Sequence, residues 1–252
     1  MTEPLTGRNV LVTRPPGQSD ALKRLIEAEG GTALVLPMIE TIRTEDWDPL
    51  KKRAAEKKWD WVIFTSANAA AYFSELLAEV PLSVPETCRT AAVGKKTAEA
   101  VRKRGWPNPL LPRVSDGDGL ADLLQSRVRP GDSVLFPKSV RARSVIADVL
   151  QREGAYVHEL PLYTTAAAYQ NREQLLSWIQ EGTIDLLTFT SPSAVKAFAH
   201  FVRNMPKKDW QGLDTVSIGS ITDNEAAKHG FVSRRTAEPS TVEGIVRTLT
   251  AF

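Results

Sequence analysis

Small hydroxyl residues and cations gather where short apolar strands end in this sequence. Thr13-Arg14 follows Val10-Leu11-Val12. Thr65-Ser66-Ala67-Asn68 follows Trp61-Val62-Ile63-Phe64, and Thr190-Ser191-Pro192-Ser193 follows Leu186-Leu187-Thr188-Phe189. Gly94-Lys95-Lys96-Thr97 and Gly219-Ser220-Ile221-Thr222 come after two more apolar runs. Lys138-Ser139 closes another, with Arg141 and Arg143 just beyond. The late loops offer Ser115-Asp116-Gly117-Asp118-Gly119 and Pro239-Ser240-Thr241. Most of these runs open a stretch with helical character. A helix start leaves backbone N–H groups unpaired and carries the positive end of the macrodipole, so it attracts anions. Arginine adds two-pronged recognition of a carboxylate. The chemistry on offer is the gripping of an anionic molecule rather than proton transfer. The candidate binding residues are Arg14, Ser66, Asn68, Gly94, Lys95, Thr97, Lys138, Arg141, Arg143, Ser191, Ser193, Gly219, Ser220 and Thr222. Ser, Thr and Asn also cap helices in any protein. The weight therefore lies in their recurrence, not in any one of them.

Several kinds of chemistry are excluded. No GxGxxG follows a strand and no GxxxxGK[ST] is present, so dinucleotide and nucleotide phosphate loops are missing. There is no HExxH, no nucleophile elbow and no carboxylate dyad. His158, His200 and His229 lack metal-ligand spacing, and Cys88 is the only cysteine, so no metal site is expected. The net charge of +2 is spread among acids, which argues against nucleic acid. No apolar run reaches the ~18 residues of a membrane span. Met1-Thr2-Glu3-Pro4 does not begin a signal peptide. A cytoplasmic monomer is the expectation.

The elements that must position these residues come in two similar series. Asp60 to Ser66 (DWVIFTS) recurs as Asp185 to Ser191 (DLLTFTS), Ala92-Val93-Gly94 as Ser217-Ile218-Gly219, and Gly119-Leu120 as Gly244-Ile245, at an offset of 124–125 residues. A long internal repeat implies two similar lobes, and small ligands often bind between domains. The first unit reads as a strand from Asn9 to Thr13, a helix from Gln18 to Glu29 and a strand from Thr32 to Leu36. Its copy places a helix at Arg141 to Glu153. Continuous apolar runs at 61–64 and 186–189 suit strands buried on both faces of a parallel sheet. Further strands are expected at 90–93 and 215–218, and helices at 69–77, 97–104, 194–202 and 222–229. Alternating strands and helices imply an open, doubly wound α/β sheet in each lobe. Ligands bind such sheets outside the carboxyl ends of the strands. Pro37 to Ile42 and Pro161 to Thr165 are extended and begin with proline. Neither is expected to continue as a regular central strand, and both are candidate linkers. Periodicity alone would cut the chain near Pro130-Gly131.

Val10 to Pro15 with Gln18, Asp60 to Asn68, Ala92-Val93-Gly94 with Thr97, Pro161-Leu162-Tyr163, and Ser217-Ile218-Gly219 with Thr222 together resemble the uroporphyrinogen-III synthase family. The resemblance covers nearly the whole chain in order. It implies two flavodoxin-like lobes joined by a two-stranded linker. One lobe would be 1–37 with 165–252, the other 38–164, with linkers near 37–43 and 161–167. It implies a cofactor-free lyase that closes the linear tetrapyrrole hydroxymethylbilane, with loss of water and inversion of ring D. It also implies a catalytic role for Tyr163, as a phenol that faces the cleft and helps the hydroxyl leave. One departure stands out. The glycine-rich run of many relatives reads here as Pro137-Lys138-Ser139-Val140-Arg141-Ala142-Arg143. The competing class is a two-lobed binding protein for an anionic molecule, with no chemistry of its own.

Overall fold

The structure is a computed structural model and describes residues 3–55, 58–80 and 83–252. Met1 and Thr2, half of the opening read above for a signal peptide, lie outside the described residues. The chain divides into two compact units, Met1–Glu40 with Ala166–Phe252, and Thr41–Thr165.

In chain order come β1 (Asn9–Val12), α1 (Asp20–Ala28), β2 (Thr32–Val35) and β3 (Ile39–Arg43). Next are α2 (Asp48–Ala55), β4 (Trp61–Phe64), α3 (Ala67–Ala78), β5 (Arg89–Ala92), α4 (Lys95–Arg102) and α5 (Gly117–Gln125). Then follow β6 (Ser133–Ser139), α6 (Val145–Arg152) and the long β7 (Tyr156–Ala167). The remainder is α7 (Arg172–Gln180), β8 (Leu186–Phe189), α8 (Pro192–Phe201), β9 (Asp214–Ser217), α9 (Ser220–Lys228), β10 (Arg234–Thr236) and α10 (Val242–Leu249). The unit boundaries fall inside β3 and β7.

One sheet has the order β10-β9-β8-β1-β2, with every neighbouring pair parallel. The other has the order β3-β7-β6-β4-β5, and its β7-β6, β6-β4 and β4-β5 pairs are parallel. A single parallel bridge, Ala91 to Leu110, extends the second sheet beyond β5. A cut near Pro130-Gly131 would part β1 from its partner. β1 pairs directly with β8, placing Val10 opposite Leu186, and the Asn9 N–H donates to Asp185 Oδ2 at 2.7 Å.

Strand alternation divides the core into layers. In β1, Val10 and Val12 pack with Leu22 and Ile26 of α1 and Ile245 and Leu249 of α10. Leu11 faces the other way, among Leu175, Phe189, Phe198 and Phe231. In β4, Val62 and Phe64 meet Phe73 and Leu76 of α3, while Trp61 and Ile63 meet Leu120 and Leu124 of α5 and Leu150 of α6. Both sheets are thus covered on both faces, as their unbroken apolar strands require. Each fully buried Leu, Phe or Val side chain contributes about 1.5–3 kcal/mol of transfer free energy.

Two expectations need correction. The helix expected at Arg141 to Glu153 starts only at Val145. β6 runs on to Ser139, and the Ser139 hydroxyl and carbonyl accept from the N–H groups of Arg141 and Ala142. That local turn competes with helix formation, so Arg141 and Arg143 stand on a loop. Pro161 does not interrupt its segment either, because β7 passes through it. The strand tolerates a residue that cannot donate because the register slips at once. Lys138 lies opposite Pro161 and Ser139 opposite Tyr163, leaving Leu162 as the extra residue of a bulge.

The starts of α5 and α10 share a constraint. Asp116 Oδ1 accepts from the Gly119 N–H at 2.8 Å, and Thr241 Oγ1 accepts from the Gly244 N–H at 3.2 Å. A Cβ on Gly119 would collide with the Val114 carbonyl oxygen, and one on Gly244 with that of Pro239. A Cβ on Gly117 meets nothing within 4 Å. Gly119→Ala is therefore expected to cost about 1–3 kcal/mol through overpacking. Gly117→Ala is expected to be neutral, or to stabilise by up to about 1 kcal/mol. Urea denaturation of the two variants checks the contrast.

Candidate functional site

Each sheet contains one point where the chain leaves in opposite directions. In the second unit, β6 leads outward to β7 and β4 leads outward to β5, although β6 and β4 are neighbours. The helices that follow them lie on opposite faces, which opens a crevice at the carboxyl ends of the two strands. A cavity of about 320 Å³ occupies this place. Thr65 continues β4 into it and Phe136 of β6 forms its floor. Asp116 to Asp118 come from the start of α5, and Ala142 and Arg143 from the loop after β6. Arg143 is exposed, and no acid pairs with it among the described residues.

Beside this crevice, Ser66 and Tyr163 form a hydroxyl pair, Oγ to Oη, at 2.7 Å. Ser66 Oγ also accepts from the Ala69 N–H at 2.9 Å, which caps α3. The Tyr163 ring stacks on Tyr72 at 4.9 Å, and the side chain is only 6% exposed. Burial pushes the Tyr163 phenol above its ordinary value, against the lowering effect of the Ser66 hydrogen bond. It is a neutral donor held by packing and one hydroxyl partner.

Lys138 is placed differently from the expectation of a free cation. It is buried in β6, and its ammonium donates to Glu159 Oε1 at 2.6 Å and to Ser144 Oγ at 3.0 Å. Its charge is already compensated within the unit. Arg141 is exposed on the same loop as Arg143 but does not line the crevice.

The first unit has its own divergence point between β1 and β8. The two strands are tied there by reciprocal bonds. Thr13 Oγ1 donates to the Thr188 carbonyl at 2.7 Å, and Thr188 Oγ1 donates to the Leu11 carbonyl at 2.9 Å. Arg14 follows directly. It is half-buried, its pKa is lowered by burial, and no acid pairs with it among the described residues. Ser191 caps α8 through the Ala194 N–H at 3.2 Å.

The remaining candidates sit at helix starts on these same sheet edges. Gly94 and Gly219 are the N-caps of α4 and α9 and supply no side-chain cap. Their first-turn N–H groups receive no side-chain cap, as is also the case at the starts of α1, α6 and α7. Lys95 and Ser220 are exposed there, whereas Thr97 and Thr222 are buried. Asn68 and Ser193 are half-buried in the first turns of α3 and α8. Thr65, Asp116 and Asp118 are not among the residues the sequence singles out, although Thr65 follows an apolar run and the two aspartates lie in a late loop read as offering ligand groups. The crevice geometry singles them out.

Fold and site together define a two-unit α/β protein whose strand ends carry helix starts without side-chain caps and, among the described residues, arginines without an acid partner. The sequence profile of the family described as "Uroporphyrinogen-III synthase HemD" matches residues 20–247. The "Uroporphyrinogen-III synthase" of Synechococcus elongatus is 30% identical over 223 residues, covering 87% of this chain and 84% of that protein. The protein of the same name from Chlorobaculum parvum is 29% identical over 231 residues, covering 89% and 90%. Among solved structures, uroporphyrinogen-III synthetase of Helicobacter pylori superposes with a TM-score of 0.57 at 17% identity, covering 97% of this chain and 98% of the other, which speaks for the fold. The chain belongs to the uroporphyrinogen-III synthase family, and with it is an enzyme of tetrapyrrole biosynthesis.

The buried phenol has a measurable consequence. A group whose folded pKa is raised contributes stability that is present below its unfolded value, here about 10, and lost as pH rises through the folded value. The wild-type melting temperature is expected to fall as pH rises above about 10, and Tyr163→Phe is expected to flatten part of that fall. Thermal melts across this range check it.

Proposed function

We propose that this chain closes hydroxymethylbilane to uroporphyrinogen III, using the strand-end residues of both units to hold the substrate's carboxylate arms. The observation that carries the residue assignment is the pair of acid-free arginines, Arg14 and Arg143. Each stands where its sheet diverges, on the same carboxyl edge as helix starts that lack a side-chain cap. Arginine and open N–H groups suit carboxylates. Gly94, Lys95, Gly219 and Ser220 would take further arms. Asn68, Thr97, Arg141, Ser193 and Thr222 flank them, and Ser66 and Ser191 hold the helix starts in place. Lys138 is left out of this set because Glu159 already neutralises it.

Loss of the hydroxyl leaves an electron-rich pyrrole that stabilises its own cation. The enzyme's main task is then geometric: to present the substituted carbon of ring D for attack, so that a spiro intermediate forms, breaks and recloses with the ring inverted. Holding reacting ends together can supply about 7–11 kcal/mol of a barrier. Tyr163, neutral and paired with Ser66, is suited to donate to the departing hydroxyl. Asp118, on the crevice wall, is suited to accept a pyrrole N–H or to face the cation that forms. No step calls for a cofactor.

The two halves are proposed to be copies in which each repeat contributes its first βαβ segment to the other's unit. The Gly119 and Gly244 collisions support this, as do the approaches of Ser115 to Gly94 and of Ser240 to Gly219, all offset by 125 residues. The working state is proposed to be a cytoplasmic monomer.

Supplied with enzymatically generated hydroxymethylbilane, the chain is expected to give mainly the type III isomer. Only type I, the product of unassisted closure, would overturn the reading. Arg14→Gln and Arg143→Gln are each expected to lower kcat/KM by about tenfold to a hundredfold, the value of a charged hydrogen bond. Tyr163→Phe is expected to slow type III formation well beyond its effect on stability. Unchanged turnover would remove Tyr163 from the reaction.

A further inference from the structure

Another cavity lies at the other end of the second unit's sheet, where β4 and β5 begin. It measures about 580 Å³, within the ~300–1,000 Å³ range of small-molecule sites. The start of β5 lines it with Cys88, Arg89 and Thr90, and the chain after α5 with Arg127, Val128 and Arg129. Pro107, Asn108 and Leu110 complete the wall.

The cations here are built in rather than scattered. Asp132 Oδ2 accepts from Trp61 Nε1, from the Arg89 guanidinium and from the Arg129 N–H, each at 3.0 Å. Burial pushes the Asp132 carboxyl up, but these three donors outweigh it and hold the group below the usual carboxylate range. The carboxylate thereby holds Arg89 over the Trp61 ring, 4.3 Å from its centre. Arg127 and Arg129 are exposed, and no acid pairs with their side chains among the described residues. Asn108 Oδ1 accepts from Arg102 Nε–H at 2.8 Å, which leaves the Asn108 amide N–H groups to donate elsewhere. Three arginines thus line the cavity against one acid, Glu86. Between them lie the apolar surfaces of Pro107, Leu110 and Val128. The Cys88 thiol is pushed up to about 11, first by burial and then by Asp60, so it is a packing group and not a nucleophile.

We propose that this cavity is a second binding site, for a flat aromatic polycarboxylate, at the sheet edge opposite the catalytic crevice. The apolar strip takes the ring face and Arg127 and Arg129 take the carboxylates, with Arg89, already paired to Asp132, at the back of the cavity.

The probe is benzene-1,3,5-tricarboxylate, titrated into the ¹⁵N-labelled full chain. The reporters are the Trp61 indole N–H and the backbone amides of Thr90 and Val128. They are expected to shift saturably, with half-saturation below about 1 mM. Arg127→Gln/Arg129→Gln changes two exposed side chains and is expected to weaken binding by about tenfold or more, while hydroxymethylbilane turnover stays unchanged. The neutral tricarboxamide is expected to shift nothing. Silent reporters, or equal shifts in the double variant, would overturn the proposal. So would shifts confined to Thr65, Gly117 and Arg143, which would assign the probe to the crevice.

Discussion

The constraint on which the structure depends is the parallel pairing of strands that lead the chain in opposite directions. Where β6 meets β4, and where β1 meets β8, no helix can cover the carboxyl ends of both strands at once. A crevice is therefore a consequence of topology, not of any special residue. Parallel pairing also sends every following helix start to the same edge, so the open N–H groups accumulate there. In the first unit the junction is fastened by Thr13 and Thr188, whose hydroxyls bond across the two strands in the buried interior. Those hydroxyls are satisfied, which is the condition for keeping polar groups in a core.

Electrostatics then distinguishes residues that hold the fold from residues left over for a ligand. Lys138, Arg89 and Lys51 each have a carboxylate partner within the chain. Arg14 and Arg143 have none among the described residues and stand at the two junctions. For the half-buried Arg14, partial burial without a partner costs the cation hydration, and an incoming carboxylate offsets that cost. The same distinction applies to helix starts. α3, α5, α8 and α10 are capped by their own Ser, Asp, Ser and Thr, whereas α4 and α9 begin with glycine. Binding groups and structural groups are the same residue types, separated by what already occupies them.

Local pattern made much of this legible. The apolar runs at 61–64 and 186–189 are β4 and β8 with the same bounds, because four consecutive apolar or small residues ahead of a hydroxyl-capped helix admit little else. The helix starts were placed within a few residues. The start of α6 was missed by four, because the Ser139 turn outweighs the helical spacing of Ile146 and Leu150. Pro161 was misjudged because a bulge is a property of two strands, and only one is visible in a stretch of sequence. The same limit hid the pairing of β1 with β8, which spans about 175 residues, and the Lys138–Glu159 bond. That the candidate residues share one sheet edge was accessible from strand ends alone. Which cation was already paired was not, since that depends on neighbours brought together by the sheet.

The most direct test of the account is to map where the product rests. Amide spectra of the ¹⁵N-labelled chain with reduced uroporphyrinogen III should show shifts at Arg14, Lys95, Gly117, Arg143 and Ser220, at the carboxyl edges of both sheets. Silence at those amides in the presence of saturating product would contradict it.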